Sequence, residues 1–131
     1  MALLLGQARG QLFVSNWGDN SVGEYTTSGE TVNASLITGL SGAFGLAVAG
    51  GNIFVADNNI NVYGGRIGEY TTSGQTVNAS LLSGLGFPLR VAVSGDDLFV
   101  LYDSGTIGEY TTSGATVNAS LITGLTLTVV S

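Results

Sequence analysis

Short apolar runs recur along this chain, each bounded by glycine, serine, threonine or asparagine. Leu12-Phe13-Val14, Ile53-Phe54-Val55 and Leu98-Phe99-Val100 are three occurrences of one pattern. Phe44-Gly45-Leu46-Ala47-Val48 and Leu89-Arg90-Val91-Ala92-Val93 precede the second and third. Val, Ile, Thr, Phe and Tyr between glycine-containing turns predict strands, not helices. In the middle of the chain the pattern predicts four extended segments: a (44–49), b (52–57), c (66–72) and d (76–82). Gly50-Gly51 and Ser73-Gly74 mark the a–b and c–d turns, where a positive φ is needed. Segment b is apolar on both sides, as expected of a strand covered on two faces.

The same stretch then repeats. Residues 23–40, 68–85 and 108–125 form one 18-residue block in which 15 positions are identical in all three copies. The spacings are 45 and 40 residues, a period that suits a four-stranded propeller blade. A sandwich of short strands would not explain why one hairpin recurs almost unchanged, and a β-solenoid uses shorter coils. Radial repetition gives each copy an equivalent environment. The expected fold is therefore all-β, a β-propeller with about three four-stranded blades per chain. The domain reading is an N-terminal segment, 1–10, followed by a repeat domain, 11–131. Its units are 11–40, 41–85 and 86–125, with a closing strand at 126–131. The N-terminal segment reads either as the apolar remnant of a signal peptide or as a short strand.

The run from Gly45 to Gly74, with Asn52-Ile53-Phe54-Val55-Ala56-Asp57-Asn58 and Arg66-Ile67-Gly68-Glu69-Tyr70-Thr71-Thr72-Ser73-Gly74, resembles an NHL-type β-propeller blade. The resemblance extends over residues 11–125. It implies the propeller fold and, loosely, a binding module, since proteins with such blades include sugar-, protein- and RNA-binding modules and a few enzymes. The Ile-Gly-x-x-Thr-Thr-x-Gly pattern is also similar to streptogramin lyase propellers. Those depend on a catalytic histidine, and this chain has none.

Three blades cannot close a ring, since closed propellers have four to eight. In the first unit strand a is missing or poor, and the C-terminal run Thr126-Leu127-Thr128-Val129-Val130 stands where a further strand a belongs. The expected assembly is a head-to-tail homodimer of six blades, in which the last strand of each chain completes the first blade of the other.

Composition narrows the function. The chain is 44% hydrophobic and 9% charged, with three basic residues and a net charge of −6. So few cations cannot neutralise a run of phosphates, so neither nucleic acid nor an anionic membrane is an expected partner. Cysteine, histidine and lysine are absent, which removes the usual nucleophile–base pairs. No catalytic residues, cofactor or metal are expected. Nothing fixes the compartment, with a secreted or periplasmic one favoured.

Binding residues are expected on the b–c loops, whose lengths differ while the scaffold repeats. Trp17 and Asp19 come from the first unit, Asp57, Asn58 and Tyr63 from the second, and Tyr102 and Asp103 from the third. Aromatic rings beside Asp and Asn suit a carbohydrate or small polar ligand: the ring covers C–H surface and the polar groups take hydroxyls. The competing reading has Trp17 and Tyr102 packed between blades. Asp57 and Asp103 are read as sharing one position at the end of strand b, with Asn16 in the first unit. Arg90 replaces Gly45 in the innermost strand, where it would face the channel and hold an anion or pair with Asp96 or Asp97. Glu24, Glu69 and Glu109 recur once per blade and read as a repeated edge hydrogen bond. A carboxylate-dependent hydrolase or lyase and a self-assembling repeat without a ligand are the alternative functions.

Overall fold

A computed structural model describes the main chain of residues 2–8 and all of residues 10–59 and 64–127. It contains three four-stranded antiparallel sheets. The first runs β1 (Ala2–Ala8), β2 (Gln11–Asn16), β3 (Ser21–Thr26) and β4 (Thr31–Ile37). The second runs β5 (Ala43–Ala49), β6 (Asn52–Asp57), β7 (Gly65–Thr71) and β8 (Thr76–Leu85). The third runs β9 (Pro88–Ser94), β10 (Asp97–Tyr102), β11 (Ile107–Thr111) and β12 (Thr116–Ile122). In each sheet sequence neighbours pair, so every blade is a four-stranded meander.

The blades stack through their flat faces. Phe13, Val22 and Ile37 of the first bury against Leu46, Ile53, Val55 and Tyr70 of the second. Phe54, Ile67 and Leu82 of the second bury against Val91, Leu98, Val100 and Tyr110 of the third. The middle strand β6 is therefore apolar on both sides because it serves two cores. The innermost strands β1, β5 and β9 come together, with β5 between the other two. At Gly45 the approach is so close that a Cβ would lie 2.6 Å from the Leu89 carbonyl oxygen and 2.7 Å from Arg90 Cα.

The repeated block has a local physical cause. In the c–d turn Thr26 Oγ1 accepts from the Glu30 N–H at 3.0 Å and bonds Ser28 Oγ at 2.9 Å, while Gly29 takes φ 92°. Thr71-Ser73-Gln75 and Thr111-Ser113-Ala115 repeat these bonds. Residues 30, 75 and 115 take part through main-chain groups, the N–H and a carbonyl that accepts from the N–H of Thr26, Thr71 or Thr111 at 2.8 Å, which is why Glu, Gln and Ala are all accepted there. In Gly23-Glu24-Tyr25 the tyrosine ring lies over the glycine two residues before it, and a Cβ on Gly23 would be 2.8 Å from that ring. The pairing of β3 with β4 shifts register on both sides of Glu24, and the same shifts flank Glu69 and Glu109. Glu24 accepts from the Gln11 amide, and Glu69 from the Asn52 amide at 2.7 Å. In the third blade the matching position is Asp97, which cannot donate.

Three expectations need correction. The inner edge of the first blade does not await a strand from another chain: β1 pairs with β2 there. The register slips between Leu4 and Gln7, which breaks the two-residue alternation of a regular strand. Thr126 and Leu127 lie outside any strand, and the rest of the expected closing strand lies outside the described residues. Asp57 and Asp103 do not share a position. Asp57 and Tyr102 each end strand b, with Asn16 in the first blade, and Asp103 is one residue further. Arg90 does not pair with Asp96 or Asp97. It is exposed, and its guanidinium donates to the Leu89 carbonyl at 3.0 Å.

Candidate functional site

Antiparallel order brings the end of each strand b and the end of each strand d to one side of the molecule. The b–c and d–a loops therefore share a face. They are also bonded to each other: Asn58 N donates to the Gly42 carbonyl at 2.8 Å, and Asp103 N to the Phe87 carbonyl at 3.0 Å.

The first b–c loop is built to present Trp17. Asn16 accepts from the Gly18 N–H at 3.1 Å and donates to Asp19 at 3.0 Å. Asn20 completes the turn with φ 54°, in the left-handed region that asparagine tolerates. The indole is left 43% exposed at the tip. It does not stand alone. Its ring centroid is 6.2 Å from that of Phe44, tilted by 54°, and Phe44 meets Phe87 edge-on at 5.3 Å and 76°. These rings form a strip across the face, from the first b–c loop over the inner strand β5 to the second d–a loop.

Beyond Phe87 the strip opens into a cleft of about 460 Å³ between the second and third blades. Phe87, Tyr102, Asp103, Ser104, Thr106 and Tyr110 are among its lining residues. Tyr102 and Tyr110 bond through their hydroxyls at 2.6 Å. Burial, and then the bond to Tyr110, push the Tyr102 hydroxyl well above the usual tyrosine range, so it stays protonated and available as a donor or acceptor. Burial also raises Tyr70, against an opposing pull from Arg66.

A second polar cluster ties loops together. The buried carboxylate of Asp57 accepts from the Ser41 N–H at 2.7 Å and the Gly42 N–H at 2.9 Å, and pairs with Arg66 at 2.7 Å. Ser41, Asp57, Asn59, Gly64 and Arg66 surround a cleft of about 280 Å³. Next to it Asn58 is buried, and its amide donates to the Pro88 carbonyl at 2.5 Å.

The structure thus separates the residues expected to bind. Trp17, Asp19 and Asp103 are exposed on the loop face. Asp57 and Asn58 are interior ties between loops. Tyr102 is packed between blades, as the competing reading had it, and lines a cleft, with its hydroxyl bonded to that of Tyr110. Arg90 lies on the inner strand, and Tyr63 lies outside the described residues. Phe44 and Phe87 escaped the sequence reading. Each belongs to an apolar run, Phe44 to Phe44-Gly45-Leu46 and Phe87 next to Pro88-Leu89, where core burial is the ordinary expectation. The available signal was their position: both flank d–a connections, on the same face as Trp17. Among the described residues no three acidic side chains gather as a cation site.

No protein-family model matches the chain, and no curated protein matches it. Solved structures do. A streptogramin B lyase structure is similar over 92% of this chain and 40% of its own, with 21% identity and a TM-score of 0.68. A catalytically inactive virginiamycin B lyase from Staphylococcus aureus, solved with quinupristin, is similar over 90% and 40%, with 20% identity and a TM-score of 0.67. A computationally designed protein is similar over 82% and 63%, with 12% identity and a TM-score of 0.58. Likeness at this identity defines the fold: the chain is an all-β protein of β-propeller type. It spans about 40% of the length of the lyases it matches.

Proposed function

We propose that this chain is a non-catalytic binding module of NHL-type blades, acting as half of a six-bladed ring, that holds a carbohydrate or similar small polar ligand on its loop face. The observation that carries this reading is the aromatic strip Trp17–Phe44–Phe87, which leads into a cleft edged by Asp103, Ser104 and Tyr102. Flat apolar rings beside hydroxyl and carboxylate groups match the alternating C–H and O–H surface of a sugar. Histidine, cysteine and lysine are missing from the sequence, so the histidine-dependent chemistry of the lyases it resembles is not proposed. Asp57 is an unsuitable general base because both its oxygens are already bonded.

Trp17 is the only tryptophan, so its fluorescence reports directly on the strip. Titration with saccharides selected on a glycan array should shift the emission. Trp17→Ala and Phe87→Ala should weaken binding about tenfold or more, the equivalent of about 1.4 kcal/mol. Absence of any saccharide binding, or binding that Trp17→Ala leaves unchanged, would remove the proposal. Turnover of a bound saccharide would replace it with the carboxylate-dependent hydrolase.

A further inference from the structure

We infer that the two end faces of the blade stack are the halves of a single interface, and that their occupant is a second copy of this chain bound head to tail. This rests on the reading of the chain as half a ring. Both junctions inside the chain are made in the same way. The first blade offers Phe13 and Ile37 to Ile53 and Val55 of the second. The second offers Phe54 and Leu82 to Leu98 and Val100 of the third. At the rim, the Leu36 carbonyl oxygen lies 2.5 Å from where a Cβ on Gly74 would be, and the Leu81 oxygen 2.9 Å from the same point on Gly114.

The third blade carries the offering half once more, with nothing among the described residues to receive it. Phe99 and Ile122 stand where Phe13 and Ile37 stand in the first blade. Ile122 is 44% exposed, whereas Ile37 is 2% and Leu82 is 6% exposed. Leu121, in the place of Leu36 and Leu81, is exposed as well. The first blade carries the receiving half. Leu12 and Val14 stand where Ile53 and Val55 stand, yet they are half-buried while their counterparts are fully buried. Tyr25 is half-buried where Tyr70 and Tyr110 are buried. Around Gly29 there is open space at the point where Gly74 and Gly114 each meet a leucine carbonyl.

An internal control shows that this contrast belongs to the junctions. Val32, Val77 and Val117 occupy one repeated position on the outer strand and are 55%, 52% and 54% exposed. Where no blade would cover a residue, all three copies are alike. Where a blade would cover it, the end copies alone are bare. The two halves are different surfaces, so copies add in one direction, and a closed ring terminates the addition. With three blades in each copy, two copies make six, within the four to eight that closed propellers use.

The test is light scattering on the full chain and two variants, Val14→Lys on the receiving face and Ile122→Glu on the offering face. The wild type should have twice the chain mass of 13.3 kDa. Each variant alone should fall to the chain mass, and an equimolar mixture should recover the doubled mass, because it restores one intact junction. Val117→Glu, on the same strand as Ile122 but at the uniformly exposed position, should stay doubled. Circular dichroism of each variant separates lost association from lost folding. A wild type of single mass would overturn the half-ring reading itself. A doubled wild type that both variants leave doubled would keep that reading and overturn this choice of faces. Folded single-mass variants that do not recover on mixing would overturn the head-to-tail direction.

Discussion

Gly68 shows how a single absent side chain shapes a blade. A Cβ there would lie 2.7 Å from Cε2 of Tyr70, and the tyrosine is buried in the core between the first two blades. The ring cannot swing out without emptying that core. Gly68→Ala is expected to destabilise the protein by about 1–3 kcal/mol, as an overpacked core does, and to lower the thermal midpoint by several degrees. Gln75→Ala, at a position that bonds through its main-chain N–H and carbonyl, should leave the midpoint within the range of ordinary surface changes, about 0.5 kcal/mol. Calorimetry on the two variants checks both. At this scale the repeat was informative: Glu30, Gln75 and Ala115 differ where the side chain makes no repeated bond, whereas Ile37 and Leu82 exchange one apolar residue for another at a repeated core position. It was blind to Phe44 and Phe87, because an apolar residue in an apolar run reads as core whether or not one side of its ring reaches the surface.

Between elements, Asp57 is the bond that holds the first d–a connection to the second blade. It ends β6, and its carboxylate gathers the Ser41 and Gly42 N–H groups and Arg66. Asp57→Ala removes the acceptor from two main-chain donors and leaves Arg66 without its counterion. A loss of about 2–4 kcal/mol is expected in urea unfolding, with the smaller loss for Asp57→Asn, which keeps one acceptor oxygen. The predicted strands a–d of the middle unit match β5 to β8 within a few residues at each end, because alternation and glycine turns are local signals. Register was harder. Counting along variable b–c loops put Asp103 in line with Asp57, whereas the pairing of β10 aligns Tyr102 with it. The segment of β1 stood between two readings, a short strand and a leader remnant, because its bulge breaks the alternation and its leucine-rich composition is one that a leader sequence shares.

For the whole molecule, stability and association are coupled if the end faces meet. The apparent unfolding midpoint should then rise with protein concentration. A hundredfold dilution should cost each pair about 2.7 kcal/mol, read as a falling midpoint in scanning fluorimetry. A midpoint independent of concentration would describe a chain whose bare faces stay bare. The propeller architecture was legible because its period is written three times. The loop-face site was legible only in part, because it is assembled from the least repetitive residues of the chain.

The bonds that occur only once have a further consequence. The rim contacts of Leu36 with Gly74 and Leu81 with Gly114 are interchangeable, so a folding chain could dock either hairpin in either place. Ser15 donating to the Phe44 carbonyl, and Asn58 to the Pro88 carbonyl, belong to one junction each. They act as addresses, giving near-identical parts a unique order. Erasing them should leave every blade well formed while allowing blades to be assembled out of sequence.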